Sequence, residues 1–287
     1  MNQSCKHFFA VAAIALSALI IMAAVPSHAA DKGASHKQQV VALLKSLETG
    51  DSEAALSINP QKYIQHHLTI ADGLAGFKTL YALPKGSVKV NTVRVFEDGD
   101  YVFAHTDYIL YGPKIGFDIL RFEHGKIVEH WDNLQETPAK PNPGGRSMID
   151  GETAVSDLDK TEANKALVRN FVDDILVNHR MDKLAGYYDG DNYIQHNPQI
   201  ADGLSGLSAA LQARAKAGLS ITYKRIHKVL GEGNFVLVVS EGIATDKPVS
   251  LYDLFRVQDG KIAEHWDVHQ SIPPQSEWKN QNGKFGF

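Results

Sequence analysis

An internal repeat is the feature that most constrains how this chain can fold. Residues 63 to 76 read YIQHHLTIADGLAG and residues 193 to 206 read YIQHNPQIADGLSG, so ten of fourteen positions agree. DILRFEHGKIVEHWDNLQ at 118 to 135 and DLFRVQDGKIAEHWDVHQ at 253 to 270 share ten of eighteen positions. Because both pairs keep their order at offsets of 130 and 135, each copy is predicted to be a whole domain and not one unit of a solenoid.

The segment between the copies sets the domain boundaries. Residues 138–160 contain Pro138, Pro141, Pro143 and Gly144 and show no apolar periodicity, which is typical of a linker. We expect the first domain at 31–137 and the second at 161–278, each of ordinary single-domain size. A short polar tail then occupies 279–287.

The N-terminal segment is typical of a secretory signal peptide. Lys6 precedes an apolar run from Phe8 to Val25, and Ser27 and Ala29 stand at the positions a signal peptidase reads. We expect cleavage after about Ala29 and a periplasmic or secreted protein. An uncleaved membrane anchor is the alternative, because the 18-residue run approaches the ~20 residues of a spanning helix.

Composition excludes several function classes. The single cysteine, Cys5, lies within the predicted signal peptide, so the mature chain has no thiol for catalysis or for metal binding. The formal net charge is only −4, which gives no reason to expect nucleic acid or an anionic membrane as a partner.

The order of elements predicts an α+β fold. Each copy begins with helical apolar spacing, for example Val40, Leu44 and Leu47 ending at Gly50. The later segments 88–96, 101–111, 115–122 and 127–134 are rich in Val, Ile, Phe and Tyr and are separated by turn residues. This pattern favours helices followed by an antiparallel meander.

The register of the last hairpin decides which side chains share a face. The turn closes either with two residues, both at positive φ, or with three residues of which only Gly125 or Gly260 is left-handed. His124 in the first copy suits positive φ poorly, which favours three residues. Asp253 then faces His265 and Leu251 faces Asp267; in the first copy Asp118 faces His130 and Gly116 faces Asp132.

These residues are the candidate site. A carboxylate on an apolar face must find a partner or have its pKa raised, and either outcome suits acid–base chemistry; a structural Asp–His hydrogen bond is the simpler alternative. On this register Ile127, Glu129 and Trp131, with their counterparts Ile262, Glu264 and Trp266, fall on the other face. Paired exposed Trp side chains are unusual, so these faces are expected to pack together or against another subunit.

Further histidines extend the candidate pockets. His66 and His196 in the YIQH segments either reach over the sheet toward the Asp residues or bond locally. His105 lies on a strand where the second copy has Val239, so the two pockets are expected to differ. Pocket walls are also expected from Tyr63, Tyr193, Phe122 and Phe255. No metal site or cofactor is expected, because no H-x-x-x-H pair lies on a predicted helix with an acidic third ligand.

The segments YIQHNP, ADG and YDLFRVQDGKIAEHWD resemble the SnoaL-like branch of the nuclear-transport-factor-like superfamily, described as polyketide-cyclase-like or aldol-condensation enzymes. The resemblance covers both copies and implies two cones of helices over a curved sheet, packed as an internal pseudo-dimer. Cyclases of that branch use an Asp on the last strand, which Asp267 and Asp132 match, and a His on the adjacent strand, where Asp253 and Asp118 stand. Asn197-Pro198, against His67-Leu68, favours the second copy as the active one.

Three functions remain open from the sequence. The first is acid–base catalysis, of cyclase, aldol or isomerase type, on a small carbonyl compound without a cofactor. The second is non-catalytic binding of a small hydrophobic molecule. The third is an assembly scaffold whose pockets are filled by their own side chains. The expected assembly is a monomer with an internal pseudo-dimer, or a homodimer.

Overall fold

The computed structural model describes residues 34–84 and 86–287, together with Met1. Residues 2–33, which include most of the predicted signal peptide and its cleavage site, lie outside the described residues. Across the described ranges, no helix is both long enough and apolar enough to span a bilayer.

The two repeats contain the same succession of strands. The first repeat consists of α1 (His36–Thr49), β1 (Ile64–Gln65), α2 (Gly73–Lys78), β2 (Lys89–Asp98), β3 (Tyr101–Ile109), β4 (Pro113–Glu123) and β5 (Lys126–Glu136). The second consists of α3 (Thr161–Phe171), α4 (Leu184–Tyr187), β6 (Ile194–Gln195), α5 (Gly203–Lys216), β7 (Ile221–Glu232), β8 (Phe235–Ala244), β9 (Lys247–Gln258) and β10 (Lys261–Ser271). A π-helical turn, Val172–Val177, extends α3.

Each repeat forms one five-stranded sheet with helices on one face. The strand orders are β1-β5-β4-β3-β2 and β6-β10-β9-β8-β7, in which the four long strands form an antiparallel meander. The two-residue strands β1 and β6 pair in parallel with the last strand of their own repeat. The predicted α+β class is therefore confirmed, whereas β1 and β6 are too short to predict from periodicity.

Local sequence explains where α1 begins and ends. Ser35 and Gln38 form a capping box, and Gly50, at φ 74°, closes the helix in the left-handed conformation. Val40, Leu43 and Leu44 are buried, and they pack with Leu120 and Phe122 of β4 into the core of the first cone. The helix thus contributes its apolar stripe to the helical cover of the first sheet.

The predicted three-residue turn is wrong. Both hairpins close with two residues at positive φ, His124 (51°) with Gly125 (73°) and Asp259 (51°) with Gly260 (71°). Together with a register shift farther along each hairpin, this turn pairs Asp253 with Asp267 and Asp118 with Asp132. A two-residue hairpin requires positive φ at both central residues, and His124 adopts this conformation. The steric argument against His at this position therefore does not decide the turn.

A β-bulge nevertheless keeps the predicted residues on one face. The register shifts between Ile262 and Glu264, which leaves Ala263 as an extra residue, and a bulge reverses the alternation that follows it. His265 therefore shares a face with Asp253 and Asp267. Ile127 and Ile262 precede the bulges, so they belong to the cone cores and not to the outer face as predicted.

The other faces of the two sheets pack against each other, as the paired Trp residues suggested. Trp131 and Trp266 are at most 1% exposed and belong to one apolar cluster drawn from both sheets. At the centre, the Asn133 amide donates to Ser250 O and Val268 O, both at 2.9 Å. The repeats therefore form an internal pseudo-dimer.

Two segments cross between the repeats. The first arm (residues 138–152), predicted as a linker, lies on the second repeat, where Asn142 Nδ2 donates to Gln195 O at 2.7 Å and Ile200 O at 2.8 Å. The second arm (residues 272–287) lies on the first repeat, where Asn280 Nδ2 donates to His67 O at 3.0 Å and Ile70 O at 2.9 Å. Each arm follows the last strand of one repeat and binds the YIQH segment of the other.

Candidate active site

The second cone encloses a cavity of about 360 Å³ between its helices and sheet. This volume lies within the range of roughly 300–1,000 Å³ common for small-molecule sites. Its walls are mostly apolar and include the predicted residues Tyr193 and Phe255. Among the apolar lining residues are Phe171, Ile175, Ile200, Leu207, Leu211 and Ile221.

Asp253 on β9 and His265 and Asp267 on β10 form the polar floor of this cavity. They are 1%, 8% and 4% exposed, so the protein isolates them from bulk water. Asp253 Oδ1 lies 3.1 Å from His265 Nε2, and the Tyr223 hydroxyl donates to both oxygens of Asp253 at 3.1 Å. Burial raises the pKa of Tyr223, and Asp253 and Asp267 raise it further, so this phenol remains a neutral donor.

Gln195 fixes where a proton sits in the floor. Its Oε1 accepts the backbone N–H of Asn197 at 2.8 Å, so this atom is the amide oxygen. The same oxygen lies 3.0 Å from His265 Nδ1, which must therefore carry a hydrogen. His265 Nε2 faces a carboxylate oxygen of Asp253, and that contact requires one further proton on one of the two atoms. The Asp253–His265 pair, which lines the cavity, thus holds a proton between its two residues.

Asp267 is differently placed. Its Oδ2 accepts a hydrogen bond from Asn197 Nδ2 at 2.6 Å, and His269 Nε2 lies 3.3 Å from the same oxygen. Its Oδ1 is buried and has no hydrogen-bond partner anywhere in 34–84 or 86–287. An acceptor of this kind, beside a pair that shares a proton, provides a base and an acid in one floor.

The first cone repeats this arrangement around a cavity of about 560 Å³, which the predicted residue Tyr63 also lines. Asp118 Oδ1 lies 3.1 Å from His130 Nε2, and His130 Nδ1 lies 2.9 Å from Gln65 Oε1. The Tyr108 hydroxyl donates to Asp118 Oδ2 at 2.9 Å. Burial raises the pKa of Asp118 despite the hydrogen bond from His130.

Asp132, the counterpart of Asp267, is held on both oxygens. His67 Nδ1 lies 2.6 Å from Oδ2, and Lys284 Nζ of the second arm lies 3.4 Å from Oδ1. Burial alone would raise the pKa of Asp132, but the charges of His67 and Lys284 outweigh it and hold the pKa well below its usual range. Burial lowers the pKa of Lys284, although the charge of Asp132 acts in the opposite direction. Asp132 is therefore a poor proton acceptor.

Each floor also offers three ligand atoms for a cation. Those of Asp253, His265 and Asp267 lie within 4.8 Å of one another, as do those of their counterparts in the first cone. In both floors the His and the first Asp already face each other at 3.1 Å. A cation would have to replace that proton-sharing contact.

The structure places His66 and His196 away from both cavities, so the expectation that they reach toward the Asp residues is wrong. Alternate residues of a strand face opposite sides, so Gln195 faces the cavity whereas His196 faces the other repeat. His196 Nε2 lies 2.8 Å from Glu264 Oε1 and Nδ1 lies 2.8 Å from Ser147 O. His66 has the equivalent contacts, 2.9 Å to Glu129 Oε1 and 2.7 Å to Gly283 O. Both rings stack on the tryptophan of their own repeat.

Two further expected pocket residues lie elsewhere. His105 is fully buried between the sheets, with its Nδ1 3.2 Å from Arg94 Nη1 and its ring packed on Phe117. Phe122 packs in the first cone core and stacks on His36 at 4.0 Å, outside the lining of the first cavity. The predicted difference between the cavities therefore arises from other residues.

Sequence reasoning missed several residues of the two floors. Gln65 and Gln195 are identical in the repeat, and this identity is a signal that could have identified them. Tyr108 lies on β3 but Tyr223 lies on β7, so the two tyrosines are not equivalent positions and leave no repeat signal. Lys284 belongs to the tail, far in sequence from Asp132, and only the folded structure joins them.

Comparison with known proteins relates the second repeat to one family. No curated protein matches the sequence. A similar solved structure is an LEH-like epoxide hydrolase from M. tuberculosis, with 23% identity over 39% of this chain and 85% of that chain and a TM-score of 0.30. An NTF2-like protein from Burkholderia xenovorans has 22% identity over 38% of this chain and 91% of its own, with a TM-score of 0.31. A SnoaL-like polyketide cyclase from Agrobacterium tumefaciens has 13% identity over 37% of this chain and 91% of its own, with a TM-score of 0.30. The family model for the SnoaL-like domain matches residues 168–265, which lie within the second repeat, so this repeat is similar to that family.

Proposed function

We propose that the second repeat catalyses proton transfer at a carbon beside a carbonyl group, in a small and mostly apolar compound. Asp267 accepts the proton, and the Asp253–His265 pair donates to the carbonyl oxygen as the enol forms. One observation carries this proposal. Asp267 Oδ1 is buried in the cavity floor without a partner among the described residues, whereas Asp267 Oδ2 and the facing atoms of Asp253 and His265 each have one.

The proposed step forms an enol. A C–H bond next to the carbonyl breaks, its electron pair forms the C=C bond of the enol, and the carbonyl oxygen takes the proton from the Asp253–His265 pair. Return of a proton to carbon completes an isomerisation, and attack of the enol on a second carbonyl completes an aldol or cyclisation step. A positioned acid or base of this kind typically contributes 10²–10⁴-fold in rate.

Deuterium uptake tests the proposal without knowledge of the natural substrate. Cyclohexanone, cyclohex-2-enone and methyl 4-oxocyclohexanecarboxylate are incubated in D₂O with the protein, and loss of the α-proton signal is followed by NMR. We expect exchange above the protein-free rate, and a fall of about 10²–10⁴-fold in Asp267→Asn.

Asp246→Asn is the matched control. Asp246 lies in an exposed turn at φ 67°, a conformation that Asn tolerates, so the substitution removes the same charge outside the cavity. Full exchange by Asp267→Asn, or no exchange by the wild type with any of the three ketones, would contradict the proposal.

For the first repeat we propose ligand binding without proton transfer. His67 and Lys284 occupy both oxygens of Asp132, and this contact favours a binding role for that cavity. Binding of the same ketones to Asp267→Asn, measured by ligand-observed NMR, should persist and should weaken when Leu120 is changed to Trp to fill the first cavity. Loss of all binding in Asp267→Asn alone would oppose this role.

We also propose that the protein is exported and acts as a monomer. The apolar run from Phe8 to Val25 supports export, and burial of Trp131 and Trp266 within one chain supports a monomer. N-terminal sequencing of protein from a periplasmic fraction should begin at Ala30 or Asp31. Light scattering should give the mass of one chain, and an intact N-terminus or a dimer mass would oppose these proposals.

A further inference from the structure

Arg214 introduces a positive charge into the cavity of the second repeat. It lies in the last turn of α5 and lines the cavity together with Leu211 and Ser220. Its side chain is partly exposed, whereas Asp253 and Asp267 are buried. The guanidinium therefore lies toward the open end of the cavity, and the carboxylates form its closed end.

Arg214 is the arginine in the lining of the second cavity, whereas Arg169 and Arg225, whose side chains also make no hydrogen bond with a described residue, are exposed and do not line it. The arginines at 94, 121, 146, 180 and 256 donate to carboxylates, carbonyls or amides of the protein. The guanidinium of Arg214 makes no hydrogen bond or ion pair with any residue the structure describes. A cavity-lining guanidinium of this kind offers a planar fork of donors that fits a carboxylate in a bidentate way.

The charge of Arg214 reaches the polar floor. Burial raises the pKa of Tyr223, and Asp253 and Asp267 raise it further, but Arg214 acts in the opposite direction. Tyr223 donates to Asp253, and both residues line the same cavity as Arg214. Between the guanidinium and the floor the walls are apolar, with Leu207 on α5 and Phe255 on β9.

The first repeat has no such arginine. At the offset of 130 that aligns the two helices, Pro84 stands where Arg214 stands in the second repeat. The cation in the lining of the first cavity is Lys114 on β4, whose Nζ lies 3.9 Å from Glu136 Oε1. The unpartnered guanidinium is thus specific to the repeat with the unpartnered Asp267.

We propose that the substrate of the second repeat is a carbonyl compound that carries a carboxylate at the end remote from the reacting carbon, and that Arg214 binds this carboxylate. This proposal rests on the proposed function, because the floor defines the reacting end. The negative charges of the floor would repel a carboxylate placed there. Arg214 therefore sets the direction in which the ligand enters, with its carbonyl end toward Asp267.

A matched pair of ligands tests this proposal. 4-Oxocyclohexanecarboxylate and its methyl ester differ in charge but share the ketone ring. We expect the wild type to bind the acid about 10- to 100-fold more tightly than the ester in calorimetry, as suits a charge-assisted hydrogen bond. Arg214→Met should remove this preference and change ester binding less than about twofold, and Arg214→Lys should keep part of it.

Lys216→Met is the control, because Lys216 carries the same charge on the same helix but does not line the cavity. The proposal is wrong if the wild type binds neither ligand, if it binds both equally, or if Lys216→Met has the same effect as Arg214→Met. These outcomes leave the proposed function standing, provided that exchange still depends on Asp267. Conversely, full exchange by Asp267→Asn overturns the proposed function, and calorimetry still decides whether Arg214 selects the acid.

Discussion

The two cavities contain the same Gln–His–Asp relay but differ in the state of one carboxylate. In the second repeat Asp267 accepts from Asn197 and keeps Oδ1 free of any described partner. In the first repeat the equivalent Asp132 meets His67 and Lys284. One floor therefore contains a carboxylate oxygen without a described partner, and the other holds its carboxylate between a histidine and a lysine.

The two repeats share one scaffold and differ in the neighbours of their paired carboxylates. The strand order, the β-bulge and the paired Asp residues are the same in both sheets. The residues that distinguish the sites are Asn197 in the second repeat and His67 in the first, which occupy the same loop position, and Lys284 of the second arm. Function on this scaffold depends on the site and not on the fold.

The largest expected effect is on stability. Asp132→Asn leaves the Lys284 ammonium buried without a carboxylate, so we expect the free energy of unfolding to fall by about 3–5 kcal/mol. Asp267→Asn removes no ion-pair partner that is fully buried, and we expect a loss of about 1 kcal/mol. Urea denaturation of both variants measures the comparison, and equal losses would show that the two carboxylates are in similar environments.

The next effect is a contrast in pH dependence within the first floor. Asp132 has a lowered pKa, so its contribution to stability is complete above the ordinary value of 3.8 and is lost as the pH falls through its folded pKa. Asp118 has a raised pKa, so its contribution is complete below 3.8 and is lost as the pH rises through its folded pKa.

The free energies of unfolding of the wild type, Asp132→Asn and Asp118→Asn, measured between acid and neutral pH, check this contrast. As the pH rises from acid values, the free energy of unfolding of the wild type should increase relative to that of Asp132→Asn. Over the same change it should decrease relative to that of Asp118→Asn. Parallel curves for the two variants would mean that the neighbours of these carboxylates do not act as described.

The smallest effect expected comes from transferring one neighbour. Asn197→His gives Asp267 the partner that His67 gives Asp132, but it does not bring an equivalent of Lys284. One new donor should lower the deuterium exchange rate by about tenfold, which corresponds to a barrier higher by about 1.4 kcal/mol. An unchanged rate, with the fold intact by circular dichroism, would show that His67 does not distinguish the two sites.

Much of the architecture could be predicted from the repeat and from residue periodicity. The helices, the meander and the packing of the two Trp faces follow from patterns that extend over many residues. The shared face of Asp253, His265 and Asp267 was also expected, although through a wrong register. The two-residue turn and the bulge at Ala263 each shift the alternation by one residue, and their effects cancel.

The remaining features depend on contacts between distant parts of the chain. His196 follows a strand of only two residues, which periodicity does not detect, so the side it faces could not be inferred. Lys284 and Asn142 lie in arms without apolar spacing, and only docking on the other repeat gives them partners. The state of Asp132 was therefore beyond sequence reasoning.

The most direct test compares the two carboxylates in one assay. Deuterium exchange at the α-carbon of methyl 4-oxocyclohexanecarboxylate is measured for the wild type, Asp267→Asn and Asp132→Asn, at a temperature where all three are folded. We expect Asp267→Asn to lose about 10²–10⁴-fold and Asp132→Asn to stay within about twofold of the wild type. Equal losses in both variants, or a loss in Asp132→Asn alone, would contradict the assignment of the free base to the second repeat.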